Sequence, residues 1–213
     1  MSLLYPIVLN ITRFFFKCFY RHRVYGKEHF APGGALLAGN HTSFLDPPIV
    51  AISSLEEVHF LARESLFKNS LFGAFIRKLN SHPVSGDATD IAVFRTITQL
   101  LKEGKKVVLF PEGTRSLDNR LGDIKPGIGL LVARANAFII PLYIHGAYEV
   151  WSRKQTFPKP WGKTACVFGS PIYYKDFSHL EKKEANAAIA QKLFDSISAL
   201  RKWYEEGAKG VPP

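Results

Sequence analysis

Short apolar runs alternate with helical periodicities over most of the chain. The runs at 22–27, 35–39, 58–62, 82–84, 106–110, 139–145 and 164–169 have the length of strands, and each leads into a turn-forming or charged residue. Helical patterns occupy 47–54, 70–79, 88–103, 127–136 and 179–206. In the last of these, Ile189, Leu193, Ile197 and Leu200 recur every third or fourth residue, Ser178 and Glu181 have the spacing of a capping box, and Gly207 follows the end. This alternation predicts a single α/β domain with a mainly parallel mixed sheet flanked by helices. No internal repeat or long linker divides it.

The first stretch has a different pattern. Residues 3–20 are strongly apolar, yet Asn10, Arg13, Lys17 and then Arg21 follow one another at intervals of three, four and four, a narrow polar stripe on a helix. A spanning helix would carry Arg13 or Lys17 into hydrocarbon at a cost of about 2.5–3.5 kcal/mol each. A helix lying in the interface avoids that cost. We therefore expect residues 1–20 to form an amphipathic membrane-associating helix ahead of a domain spanning 21–213. Leu9, Phe14, Phe15, Phe16 and Phe19 would enter the acyl region, while the basic stripe with Arg21 and Arg23 meets anionic headgroups. The predicted attachment is peripheral or monotopic, on the cytoplasmic face. No basic region precedes the apolar run, which argues against a cleaved signal peptide.

Charge extends this picture. The 213 residues include 28 Lys or Arg against 18 Asp or Glu, a net charge of +10, which calls for an anionic partner. Nucleic acid is not expected, because no recognition motif is present and the aromatic residues gather in the apolar N-terminus. Residues 151–163 set Trp151, Phe157 and Trp161 among Arg153, Lys154, Lys159 and Lys163, a composition suited to a membrane interface or an acidic carrier protein. Cys18 and Cys166 match no metal spacing and are expected as reduced thiols. His22, His29, His59, His82 and His179 stand alone in sequence, and neither a metal site nor a nucleotide loop is predicted.

Two polar motifs carry the chemistry. Asn40-His41-Thr42-Ser43-Phe44-Leu45-Asp46 follows the run 35–39 and leads into Pro47-Pro48. On an ideal helix His41 and Asp46 would point about 140° apart, so a turn must bring them together. Asp46 before two prolines has the form of a helix N-cap. The second motif, Pro111-Glu112-Gly113-Thr114-Arg115-Ser116, leaves the run 106–110. If the two strands are parallel, both motifs open at one sheet edge, where α/β proteins bind ligands. There Gly113 permits close backbone approach, Thr114 offers a hydroxyl, and the Arg115 guanidinium can fork onto a phosphate.

These blocks resemble those of the glycerophospholipid acyltransferases, in particular the branch acting on 1-acyl-sn-glycerol 3-phosphate. The first block is similar to residues 40–46, the third to 110–116, and the fourth to Ile140-Pro141-Leu142-Tyr143; Lys125-Pro126-Gly127 resembles the segment after the third. The resemblance implies transfer of an acyl group from acyl-CoA or acyl carrier protein, as substrate and without a cofactor, to a lysophospholipid hydroxyl. An imidazole suits the base in such a reaction, since its ordinary pKa lies near cellular pH. His41 would take the proton, Asp46 would orient it, and Glu112, Gly113, Thr114 and Arg115 would hold the acceptor; the resemblance names no oxyanion donor, and the Gly113 N–H is a candidate. The second block departs from the pattern: Pro83-Val84-Ser85-Gly86-Asp87 has glycine where an arginine is common. Arg63 and Arg77 are the candidates to supply that charge. Glycerol 3-phosphate or another lysolipid is the alternative acceptor. A non-catalytic membrane-binding protein would have no use for the His41 and Asp46 pair.

Overall fold

The computed structural model describes residues 3–84, 91–125 and 127–213. In chain order the elements are α1 (Leu4–Tyr20), β1 (Arg23–Tyr25), β2 (Ala35–Gly39), α2 (Asp46–Ser53), β3 (Val58–Arg63), α3 (Ser70–Lys78), β4 (Ser81–Val84) and α4 (Ile91–Lys102). They continue as β5 (Lys106–Leu109), α5 (Gly127–Ala135), β6 (Phe138–His145), α6 (Ala147–Trp151), β7 (Ala165–Phe168), β8 (Ile172–Tyr173) and α7 (Lys182–Glu205). Every predicted strand and helix is present, and α6 and β8 are additions. The expected start of the fourth helix, at residues 88–90, lies outside the described residues, as do residues 85–87 of the second block.

The strand order is β1-β7-β6-β2-β5-β3-β4, with β8 also beside β6. Strands β2 to β6 are mutually parallel through the pairs β2–β5, β2–β6, β3–β5 and β3–β4. β7 and β8 run antiparallel to β6, and β1 pairs parallel with β7, which makes the sheet mixed. The period-two alternation of a strand sorts the core into two layers. Leu37, Val108 and Ile140 face α1 and α2 on one side, while Leu36, Val107 and Ile139 face α4, α5 and α7 on the other. A proline in an interior strand removes a ladder hydrogen bond. Pro141 is tolerated because β8 pairs with residues 138 and 139 and β7 begins pairing at Leu142, so the missing N–H falls between them, where the Gly169 N–H donates to the Pro141 carbonyl.

Two local expectations fail for traceable reasons. Ser178 and Glu181 form no capping box: Ser178 ends a 3-10 turn over Tyr174–Phe177, with its N–H on the Lys175 carbonyl, and Glu181 caps α7 without a side-chain bond. Helix α1 forms, but it divides its apolar residues between two environments. Tyr5, Phe16 and Tyr20 are buried in the domain and Leu9 packs against its core, so Phe16 and Leu9 do not face outward as expected. Leu3, Ile7, Ile11, Phe14, Phe15 and Phe19 make the exposed face. Arg13 does not stand free for headgroups either. Its Nε and Nη2 donate to the carbonyls of Ile52 and Ser54, 2.9 and 3.4 Å away, at the C-terminal end of α2. No helix among the described residues is long and apolar enough to cross a membrane.

Candidate active site

The parallel strands deliver both polar motifs to one edge. His41 and Asp46 meet across the turn between β2 and α2, with His41 Nδ1 2.7 Å from Asp46 Oδ2. That oxygen also accepts the N–H groups of Thr42 and Ser43, at 2.6 and 2.8 Å. Asp46 is therefore not the predicted N-cap. Leu45 occupies the cap position, Asp46 is the first helical residue, and its carboxylate turns back into the corner. The reason is supply: three N–H groups in the tight turn present themselves to one oxygen, whereas Pro47 and Pro48 have none to offer. A carboxylate only accepts here, so Nδ1 carries the proton and Nε2 presents its lone pair. Among the described residues Nε2 has no hydrogen-bond partner. The His41 side chain is 20% exposed and that of Asp46 0%, so the imidazole is reachable from solvent while the carboxylate behind it is sealed.

The second motif supports the first. Glu112 Oε1 accepts the His41 N–H at 2.7 Å and Oε2 accepts the Gly122 N–H at 2.9 Å. Burial raises the Glu112 carboxyl above its ordinary range, and these two N–H groups oppose the rise. Glu112 thus braces the histidine loop with both oxygens. The Ser116 N–H returns to the His41 carbonyl at 2.8 Å, and the Phe110 ring stacks on the imidazole with centroids 4.1 Å apart. The Gly113 N–H is spent on the Phe110 carbonyl at 3.0 Å, so it is not the oxyanion donor that the sequence suggested. Gly113 has φ +75°, and a Cβ there would lie 3.2 Å from Lys125 Nζ. Thr114 is exposed beside it.

Arg115 lies over the ring of Phe44, 3.5 Å from its centroid, and Phe44 in turn contacts Trp151 at 5.0 Å. Its Nη1 is buried without a partner. Burial lowers its pKa, and the neighbouring Arg153 and Arg63 act in the same direction. Arg63, at the end of β3, is thus electrostatically coupled to this corner. Arg77 is not brought there by any contact: it sits on α3 over the ring of Phe67. Sequence reasoning missed Phe44, Lys125 and Arg153. Only Lys125 had a local signal, in its Lys-Pro-Gly setting. Asn40 is buried and clamps β6, donating to the Ile144 carbonyl and accepting its N–H.

Four other histidines, His22, His59, His82 and His145, make contacts within the fold. His22 bridges Thr164 Oγ1 and Ser53 Oγ, and burial pushes its pKa down to about 4. His59 and His82, solitary in sequence, stack on neighbouring strands with Nδ1 and Nε2 3.0 Å apart. His145 contacts the Tyr143 hydroxyl and the Tyr204 ring. Trp151, expected in a membrane belt, packs instead against Phe44 and donates Nε1–H to the Gln155 carbonyl.

Residues 21–145 match the profile of the Acyltransferase family. A 1-acyl-sn-glycerol-3-phosphate acyltransferase of Bacillus subtilis is 31% identical over 180 residues, covering 84% of this chain and 87% of that protein. A lyso-ornithine lipid O-acyltransferase of Rhizobium meliloti is 38% identical over 95 residues, 44% of this chain and 32% of that protein. The crystal structure of the 1-acyl-sn-glycerophosphate (LPA) acyltransferase PlsC from Thermotoga maritima shares the fold, with a TM-score of 0.74 at 23% identity over 92% of this chain and 80% of that one. With a profile match over more than half its length and a relative of this similarity along most of it, the chain belongs to the Acyltransferase family.

Proposed function

We propose that this chain transfers a fatty acyl group from an acyl thioester, carried by CoA or acyl carrier protein, to the free sn-2 hydroxyl of 1-acyl-sn-glycerol 3-phosphate, making phosphatidic acid. The observation that carries the reading is the His41–Asp46 couple, with its free Nε2 at the same strand edge as Arg115, whose Nη1 is buried without a hydrogen-bond partner. A hydroxyl is a weak nucleophile until it loses its proton. Nε2 takes that proton as the oxygen attacks the thioester carbonyl, and Asp46 stabilises the imidazolium that forms. Collapse of the tetrahedral intermediate breaks the C–S bond, and the imidazolium returns the proton to the departing thiolate. No enzyme nucleophile is required. Arg115, with Thr114 beside it, holds the phosphate so that the hydroxyl lies between His41 and the carbonyl.

The test is release of free CoA thiol with lysophosphatidate as acceptor. Removing one charge-assisted contact costs about 1.5–3 kcal/mol, so Arg115→Ala is expected to raise the acceptor KM roughly 10- to 100-fold while leaving the donor KM near its original value. An unchanged acceptor KM would remove Arg115 from the phosphate site. The Rhizobium relative keeps a second acceptor class in view, a lysolipid built on ornithine. A panel containing lysophosphatidate, glycerol 3-phosphate and lyso-ornithine lipid separates the readings by their kcat/KM values.

The same reading places the chain on an anionic membrane surface. The exposed face of α1 is continued by Trp161, whose ring stacks on Phe19 at 6.2 Å, and Lys17, Arg21 and Lys163 border it. An Ile11→Glu/Phe14→Glu double variant, altered only at exposed positions, is expected to lose most co-flotation with anionic vesicles. Flotation equal to that of the original chain would exclude α1 as the anchor.

A further inference from the structure

Three guanidinium groups gather at the strand edge that carries His41. Arg63 closes β3, Arg115 follows β5, and Arg153 follows β6 and α6. The segment bearing Arg153 is fastened to the histidine corner. Ser43 Oγ donates to the Trp151 carbonyl at 2.6 Å, Ser43 and Ser152 form an antiparallel bridge, and the rings of Phe44 and Trp151 are in contact. From there Arg153 Nη1 reaches the main-chain carbonyl of Arg115 at 3.4 Å. Like charges have been brought together by specific backbone contacts. Among the described residues, none of the three arginines forms an ion pair with Asp or Glu. The carboxylate that acts on Arg115 at longer range, Asp46, has one oxygen committed to three N–H groups and is wholly buried. Burial first, then Arg153, then Arg63 work against the charged form of Arg115, whose Nη1 remains buried and unpartnered. A cluster of this kind is electrostatically incomplete by one anion of charge near two.

We propose that Arg153 is the third cation of the acceptor phosphate site, closing on the phosphate of lysophosphatidate together with Arg63 and Arg115, and that it sets the preference for phosphate-bearing acceptors. The inference rests on the acceptor assignment above and extends it to a residue outside the family's blocks. It also accounts for the charge that Gly86 does not supply. The phosphates of a CoA donor present the same chemistry, so the test must separate the two sources.

The experiment measures equilibrium binding of sn-glycerol 3-phosphate and of CoA to the full chain, to R153A and to R153K, alongside steady-state kinetics. For R153A we expect glycerol 3-phosphate to bind about tenfold more weakly, with partial recovery in R153K and no change for CoA. The acceptor KM rises by a similar factor with kcat within about twofold, and the preference for lysophosphatidate over 1-monoacylglycerol falls in proportion. Unchanged glycerol 3-phosphate binding by R153A, with an unaltered melting temperature, overturns the proposal. A loss confined to CoA overturns it too and moves Arg153 to the donor site. Should R153A not fold, R153K and R153Q carry the comparison, since both keep the first three carbons of the arginine side chain, the first with its charge and the second without. If glycerol 3-phosphate binding depends on Arg153 but the original chain fails to acylate lysophosphatidate, the acceptor assignment falls and the phosphate site stands.

Discussion

Replacing His41 with alanine is expected to lower kcat by about 10³- to 10⁴-fold while the protein still folds. The chemical half of this expectation comes from Nε2, which has no hydrogen-bond partner among the described residues, on a ring whose tautomer Asp46 fixes. The structural half comes from the main chain. The bonds that hold the loop at this position, from the His41 N–H to Glu112 and from Ser116 to the His41 carbonyl, use backbone atoms that alanine also has. What the variant loses is the stacking on Phe110, worth about 1 kcal/mol, and the Nδ1–H bond to Asp46, whose Oδ2 keeps the N–H groups of Thr42 and Ser43. Thiol release measured beside a thermal melt separates the two halves. Near-normal turnover by folded H41A protein would refute the mechanism.

Asp46 supports a paired prediction, because its two jobs can be separated by the choice of substitution. Asp46→Asn keeps an oxygen for the Thr42 and Ser43 N–H groups but removes the negative charge facing the imidazolium, so kcat is expected to fall about 10³-fold or more with little loss of stability. Asp46→Ala removes the charge and the acceptor together. Thr42 and Ser43 are buried, so their N–H groups have no water to turn to, and an orphaned buried donor costs about 1–3 kcal/mol. We expect D46A to unfold at a clearly lower denaturant concentration than D46N, with both inactive. Equal stability of the two would show that the carboxylate does not organise the turn, and a D46N enzyme of ordinary kcat would sever it from the chemistry.

How far the sequence foretold these features follows from the range of the forces involved. Strands β2, β5 and β6 were legible because burial on both faces writes an uninterrupted apolar run, and their parallel order follows from the helices between them. The convergence of residues 40–46 with 110–116 was legible for the same reason. Contacts made by single side chains across the fold were not. Nothing near Arg13 signals that it closes the C-terminal end of α2, and nothing near Phe44 signals a guanidinium above it. The capping box at Ser178 failed because a competing turn claimed that serine's backbone. Helix α1 shows a deeper limit: hydrocarbon and protein core are both apolar solvents, so periodicity alone could not assign Phe16 to the core and Phe14 to the surface.

The Arg13 contact joins two parts of the molecule through one short rod. Helix α2 has eight residues, about 12 Å in length. Arg13 grips the carbonyls at one of its ends, and at the other Asp46 aims His41. Helix α1 is therefore not a tether on which the domain swings. Whatever surface receives its exposed face becomes a datum plane, from which the height of the His41 imidazole is set by covalent and hydrogen-bonded geometry. An acceptor anchored in that plane by its own acyl chain would meet the base at a fixed elevation, and shortening or tilting α2 would change which hydroxyl comes level with it.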